Sequence, residues 1–208
     1  MSAHAENVAG KVLKSKGDVF AQLEGQEKRK LRIGKKIYEK DKVTTESDST
    51  VTLLFSDKTR FELGADSTLV VNEFLFENNP DKDATSIKVL KGSFRFVSGL
   101  IAKEKPEAME VSTTVATIGI RGTNVVGEAN ATSATIILVE PEDKSRETAI
   151  EVSNNFGSVL IDEPGYGTEI PDEYSPPSPP RRMSLQTINN LTRSLQSIQR
   201  VNMPRPMR

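Results

Sequence analysis

The chain has 208 residues, of which 53 are Leu, Ile, Val or Phe, enough to bury a core and above the level at which chains stay unfolded. It contains no cysteine and one histidine, His4, which excludes a disulfide frame, thiolate zinc clusters, Ser-His-Asp or Cys-His catalysis and multi-histidine metal sites. A formal net charge of −1 hides an uneven split: residues 174–208 hold six arginines and no acid, leaving −7 for the rest.

No segment reaches the ~18 consecutive apolar residues of a membrane helix. At the start, Ser2-Ala3-His4-Ala5 before Glu6 reads as the A-x-A end of a secretory signal whose apolar part has been replaced by Met1. A small-residue start or tag without meaning, residues 1–6, is the other reading.

From residue 7 to 170 the sequence is a train of short strand-like runs separated by turn residues. Val8–Leu13 and Val19–Leu23 flank Gly17-Asp18, and Lys42–Thr45 follows Gly34. Thr50–Phe55 and Thr59–Leu63 enclose Ser56-Asp57-Lys58 as a hairpin, with Phe61 and Leu63 on one side and Arg60 and Glu62 on the other. Thr68–Phe76, Ile87–Leu90, Phe94–Val97, Ala134–Val139, Thr148–Val152 and Ser158–Ile161 continue the pattern. Between them, Val111–Val126 forms two β-type runs meeting at a tight bend, where Gly119 and Gly122 bracket Arg121 and Thr123 follows. The charged, proline-bearing stretches 78–84 and 102–108 are exposed connections, and no helical period occurs before residue 183. The expected fold class is all-β: a single β-sandwich or roll, or a short β-solenoid, of many short strands.

Five prolines between Pro171 and Pro180 make residues 171–182 a semi-rigid extended linker, either a spacer or a ligand for a proline-reading domain. Beyond it, over residues 183–208, Leu185, Ile188, Leu191, Leu195, Ile198 and Val201 form one apolar stripe of an amphipathic helix, with Arg193 and Arg200 on its polar face. Ser184 caps its start and Pro204 closes it. A helix of this length is marginal alone in water, so the stripe must be covered. Its own β-body and a partner helix or groove are the leading covers. An anionic membrane surface comes next, and nucleic acid last, because six scattered arginines without interleaved aromatics make a weak footprint. Residues 140–173 hold ten acids against Lys144 and Arg146, so the basic tail has an acidic surface to dock on, in its own or a neighbouring copy.

Chemistry-bearing clusters are weak. Asp41, Asp57, Asp66 and Glu62 lie near turns, where aspartate bonds its own backbone. Neither Asp81 with Asp83 nor Glu140, Glu142 and Asp143 has the calcium-loop spacing. No catalytic residue, cofactor or metal site is assigned.

At Val111–Val126 the wording becomes specific: the run from Ser112 to Thr123 resembles the T-P-x-A-x-I-G-I-R-G-T signature of FecR-type domains. Gly10 to Val12, Gly17 to Val19, Leu31 to Gly34, Asp41 to Thr44, Ser49 to Phe55, Asp57, Ser67 and Lys91-Gly92 fall where that family places its other elements, and Gly157 to Thr168 looks like its closing strand and turn. Three residues depart from it: Lys40 and Lys58 stand where the family has glycine, and Thr114 where it has proline. The two lysines imply reshaped turns, or lysine at positive φ at a cost of about 1 kcal/mol. The resemblance implies kinship with a sensor that spans the inner membrane and passes a signal from an outer-membrane transporter to a sigma factor. The sequence contains neither the sigma-binding region nor the membrane helix of that sensor. What the resemblance implies here is a non-enzymatic extracytoplasmic module, periplasmic in a bacterial envelope, that binds other envelope proteins or neighbouring copies; a domain for cell-wall glycan or a small ligand is the alternative. It also favours the signal-end reading of Ala3 to Ala5. In such a fold Gly119 and Gly122 permit a close strand crossing and Arg121 pairs with a buried carboxylate or carbonyls. The action then lies in the acidic strands and the helix residues Leu185, Ile188, Leu191, Arg193, Leu195, Ile198 and Arg200.

Overall fold

In a computed structural model, residues 7–142 and 148–196 are described. The strands are β1 (Val8–Lys16), β2 (Val19–Gln22), β3 (Arg29–Lys30), β4 (Lys36–Tyr38), β5 (Lys42–Thr45), β6 (Thr50–Phe55), β7 (Arg60–Leu63), β8 (Thr68–Leu75) and β9 (Ala84–Val97). After a one-turn helix α1 (Leu100–Glu104) and a 3-10 turn come β10 (Met109–Ser112), β11 (Thr117–Arg121), β12 (Asn124–Ala129), β13 (Ala134–Val139), β14 (Ala149–Asn154), β15 (Gly157–Ile161), β16 (Tyr166–Ile170) and β17 (Arg181–Arg182), then α2 (Leu185–Leu195).

Two open sheets share β9. The first runs β4-β1-β6-β7-β9-β12-β13-β16-β17 and the second β3-β2-β5-β8-β9-β10-β11-β14-β15. Pairing among these strands is antiparallel except between β9 and β10, so the chain zigzags in hairpins rather than coiling. Alternation explains the faces: β6 and β7 bury Val51, Leu53, Phe55, Phe61 and Leu63 and leave their intervening residues half-buried. One core cluster collects the buried faces of both sheets, including the rings of Phe61, Phe94 and Phe96, with Phe61 and Phe96 centred 5.6 Å apart.

The sequence pattern predicts two strands at Ile87–Leu90 and Phe94–Val97; the structure has one. Lys91-Gly92 bends the strand instead of reversing it, with Gly92 at φ 99°. The register slips between Leu69↔Val89 and Thr68↔Lys91, leaving Leu90 as an extra residue. Buried positions therefore change parity, from Ile87 and Val89 to Phe94 and Phe96, and the strand passes from one sheet to the other. A Cβ on Gly92 would lie 2.6 Å from Ser67 Cα, so only glycine fits that bend.

Lys40 and Lys58 take the second of their two expected conformations, left-handed backbone at φ 68° and 74°. The turn at Lys58 is held by Asp57, whose buried carboxylate accepts from Thr59 N at 2.9 Å and Thr59 Oγ1 at 2.7 Å. The stretch 102–108 is not a plain exposed connection: α1 buries Ile101 and Ala102, and five residues are too few to reveal a helical period.

Candidate functional site

In the signature stretch, β11 alternates strictly: Ile118 and Ile120 point into the core, Gly119 and Arg121 outward. Gly122 turns the chain at φ 56°, and Thr123 locks the crossing, its N–H donating to Ser98 Oγ at 2.9 Å while its carbonyl accepts from Ser98 N at 3.1 Å. The glycine-and-threonine part of the motif thus carries the chain from one sheet to the other. Beneath it lies a small cavity of about 150 Å³, lined in part by Ser98, Lys103, Thr123 and Glu142, with Glu142 ion-paired to Arg60 and the buried Thr123 Oγ1 lacking a hydrogen-bond partner.

Arg121 is not the anchor of a buried pair. It is exposed and makes no ion pair among the described residues, because its odd position on β11 shares the outer face with Gly119. The buried pair belongs to Asp41, which is fully enclosed and meets Arg29 in a two-pronged contact, with Nη1 to Oδ1 at 2.8 Å and Nη2 on Oδ2. Asp41 Oδ2 also accepts from Tyr38 N at 2.7 Å, and the Arg29 guanidinium lies 5.0 Å from the Tyr38 ring. Gly119 is not demanded by a close crossing either: a Cβ there would meet only Glu151, its carbonyl oxygen at 3.7 Å.

The proline-rich segment 171–182 is expected to be a spacer that frees the helix to reach away, but it runs along its own body. Ser178 donates to Glu169 O at 3.0 Å, Thr168 Oγ1 donates to Ser178 O at 2.6 Å, and Asn154 Nδ2 donates to Ser175 O at 2.8 Å. Arg181 and Arg182 pair with β16 as β17, Arg181 sits 2.7 Å from Glu169, and Pro177 is buried. Extended backbone is what proline favours, and here one sheet edge receives it. The exposed Asp172 caps this strap, accepting from Tyr174 N at 2.8 Å and Ser175 Oγ at 2.9 Å. These bonds hold its carboxyl below the ordinary value of 3.8, the Tyr174 amide contributing most. The cap therefore stabilises the strap above pH 3.8 and is lost as pH falls through the lowered value.

The strap delivers α2 onto the first sheet. Ser184 Oγ caps it by accepting from Thr187 N at 3.0 Å. Leu191 and Leu195 are buried with Met183 against Val126 and Ile137, and Ile188 is half-buried there. Leu185 is 77% exposed and Arg193 is also exposed, so among the described residues the stripe is covered by its own body from Ile188 to Leu195 and open at Leu185. Ile198 and Arg200 lie outside the described residues.

The acidic region contributes an edge. Glu151, Asp162, Glu163, Asp172 and Glu173 are all exposed, and none is in an ion pair among the described residues. Phe156, Leu160 and Tyr174 stand among them, 51%, 62% and 73% exposed. Sequence reasoning passed over Phe156 and Leu160; for Leu160 the signal was Val159-Leu160-Ile161, apolar on both faces of a strand that should alternate. Among the described residues no group of three or more His, Asp or Glu side chains could hold a metal ion.

Comparison with known proteins places this geometry. No curated protein matches the chain at a significant level. Two crystal structures, at 2.50 and 1.65 Å, of a protein described as a candidate anti-sigma factor from Parabacteroides distasonis ATCC 8503 superpose on it with a TM-score of 0.54 at 12% identity. The match covers 71% of this chain and 62% of those, so it spans less than two thirds of the solved protein and is a likeness of fold. The family model described as FecR protein matches residues 41–154, more than half of the sequence and all of the signature turn, and the chain belongs to the FecR family.

Proposed function

We propose that this protein is a non-enzymatic, periplasmic protein–protein interaction module of an envelope signalling or structural assembly, with α2 as a docking element. The observation that carries the reading is the FecR match over residues 41–154, followed by an amphipathic helix fastened to the body at one end and open at the other. The partners are other envelope proteins or neighbouring copies, and the regulatory role described for the similar solved structure points the same way. Support for a non-catalytic body comes from its buried carboxylates: Asp41 is spent on Arg29 and Tyr38, Asp57 on Thr59, and Asp83 on the amides of Glu77 and Asn79. In-cell cross-linking with mass spectrometry on the full chain and on Leu185→Ser tests it. Loss of a cross-linked envelope protein in the variant, with melting unchanged, is the expected result; the same partner set in both would remove the helix from this reading.

Binding of cell-wall glycan is the second reading, favoured by Phe156 and Tyr174, which stand exposed on segments tied together through Asn154 and Ser175. A rise in melting temperature with peptidoglycan fragments would move the assignment there.

A further inference from the structure

We propose that β15 is a strand-addition site for an extended basic segment of another protein. The proposal rests on the reading that this module binds proteins, but not on the helix.

A sheet edge with free main-chain groups is a template for another strand, and proteins blunt such edges with short strands, lysine or proline. Three of the four edges here are blunted. β3 has two residues, both cationic; β4 has three and starts at Lys36; β17 has two arginines directly after Pro179-Pro180. β15 is different: Gly157–Ile161 has five residues with no charge and no proline. It pairs with β14, and none of its residues makes a main-chain hydrogen bond elsewhere among the described residues.

The side chains specify the guest. Leu160 faces outward opposite Glu151, which faces Gly119, which faces Glu110, so Leu160 ends a row of two carboxylates separated by a bare backbone. Asp162 and Glu163 follow the strand directly, and neither β14 nor β15 contains a lysine or arginine. A guest strand would lay one apolar side chain on Leu160 and, two places along the same face, a cation beside Asp162, on the side of the sheet that Glu151 also makes acidic. A second copy pairing through β15 would oppose these acids to themselves. Residues 197–208 of this chain hold three arginines, but Pro204 and Pro206 interrupt the part that carries two of them, which leaves Arg200 as the single cation of the proline-free stretch 197–203.

The test uses the full chain and a fluorescent peptide of about seven residues with valine at its centre, lysines two places to either side on the same face and threonines between, next to the same peptide with alternate amides N-methylated. The parent peptide should bind, saturably, with shifts of the Ser158 and Leu160 amides in NMR spectra. N-methylation should weaken it about tenfold, as should Leu160→Lys, a change at an exposed site that leaves melting in place. Equal binding of the N-methylated peptide would reduce the effect to charge attraction and overturn the proposal. So would unaltered binding by Leu160→Lys, or a wild-type dimer that this substitution makes monomeric. Peptide binding kept in a chain whose cross-linked partners ignore Leu185→Ser would sink the helix reading while this one stands; peptide binding absent where those partners respond would do the reverse.

Discussion

The Asp41 carboxylate is fully enclosed, and Arg29 is the cation that compensates it. Removing the cation leaves that buried charge without its Arg29 counter-ion, so Arg29→Met should cost about 3 kcal/mol in urea unfolding. Arg121→Ala, by contrast, removes an exposed side chain without a described partner and should stay within about 0.5 kcal/mol of wild type. The two variants measured side by side separate the exposed arginine of the signature from the one that is paired with a buried carboxylate. Lys58 offers a third measurement: at φ 74° it carries a steric cost that glycine lacks, so Lys58→Gly should raise stability by about 1 kcal/mol. A loss instead would mean that its side chain contributes contacts outweighing the backbone strain.

At the scale of elements, α2 is a short helix whose hold on the body rests on few side chains. Truncating Leu191 empties the contact with Val126 and Ile137, and the expected cost is about 2 kcal/mol, the low end for a buried leucine because the site lies at the surface. The measurement to make is amide exchange: protection of 185–195 should drop while that of β9 stays. Much of this level was readable in advance. The hairpin around Asp57 and the apolar stripe of α2 follow from periods of two and of 3.6, and the strand bounds of β5, β6 and β13 agree with the pattern. What period cannot report is where a strand goes next. The bend at Gly92 looks like a reversal, and the contacts of the Pro171 to Pro180 stretch, Ser178 on Glu169 among them, depend on a distant edge that no local window contains. The outward side of Arg121 was legible from Ile118 and Ile120, but the likeness to a crossing obscured it.

For the whole molecule, one core cluster spans both sheets, so neither sheet has an apolar interior of its own to fall back on. Unfolding followed by far-UV circular dichroism and by tyrosine fluorescence should therefore give coincident transitions; separated midpoints would show two independent units. Because β9 supplies buried side chains to one sheet before Gly92 and to the other after it, adding or deleting a single codon there shifts the inward set of everything downstream in the strand. The same indel between Asn78 and Lys82 meets a surface loop and disturbs only the bonds by which Asp83 holds Glu77 and Asn79, leaving the inward set of the strands in place. Changes of length should therefore be tolerated in the loops, and the segment from Ala84 to Val97 acts as a ruler whose residues can be exchanged but whose length cannot change.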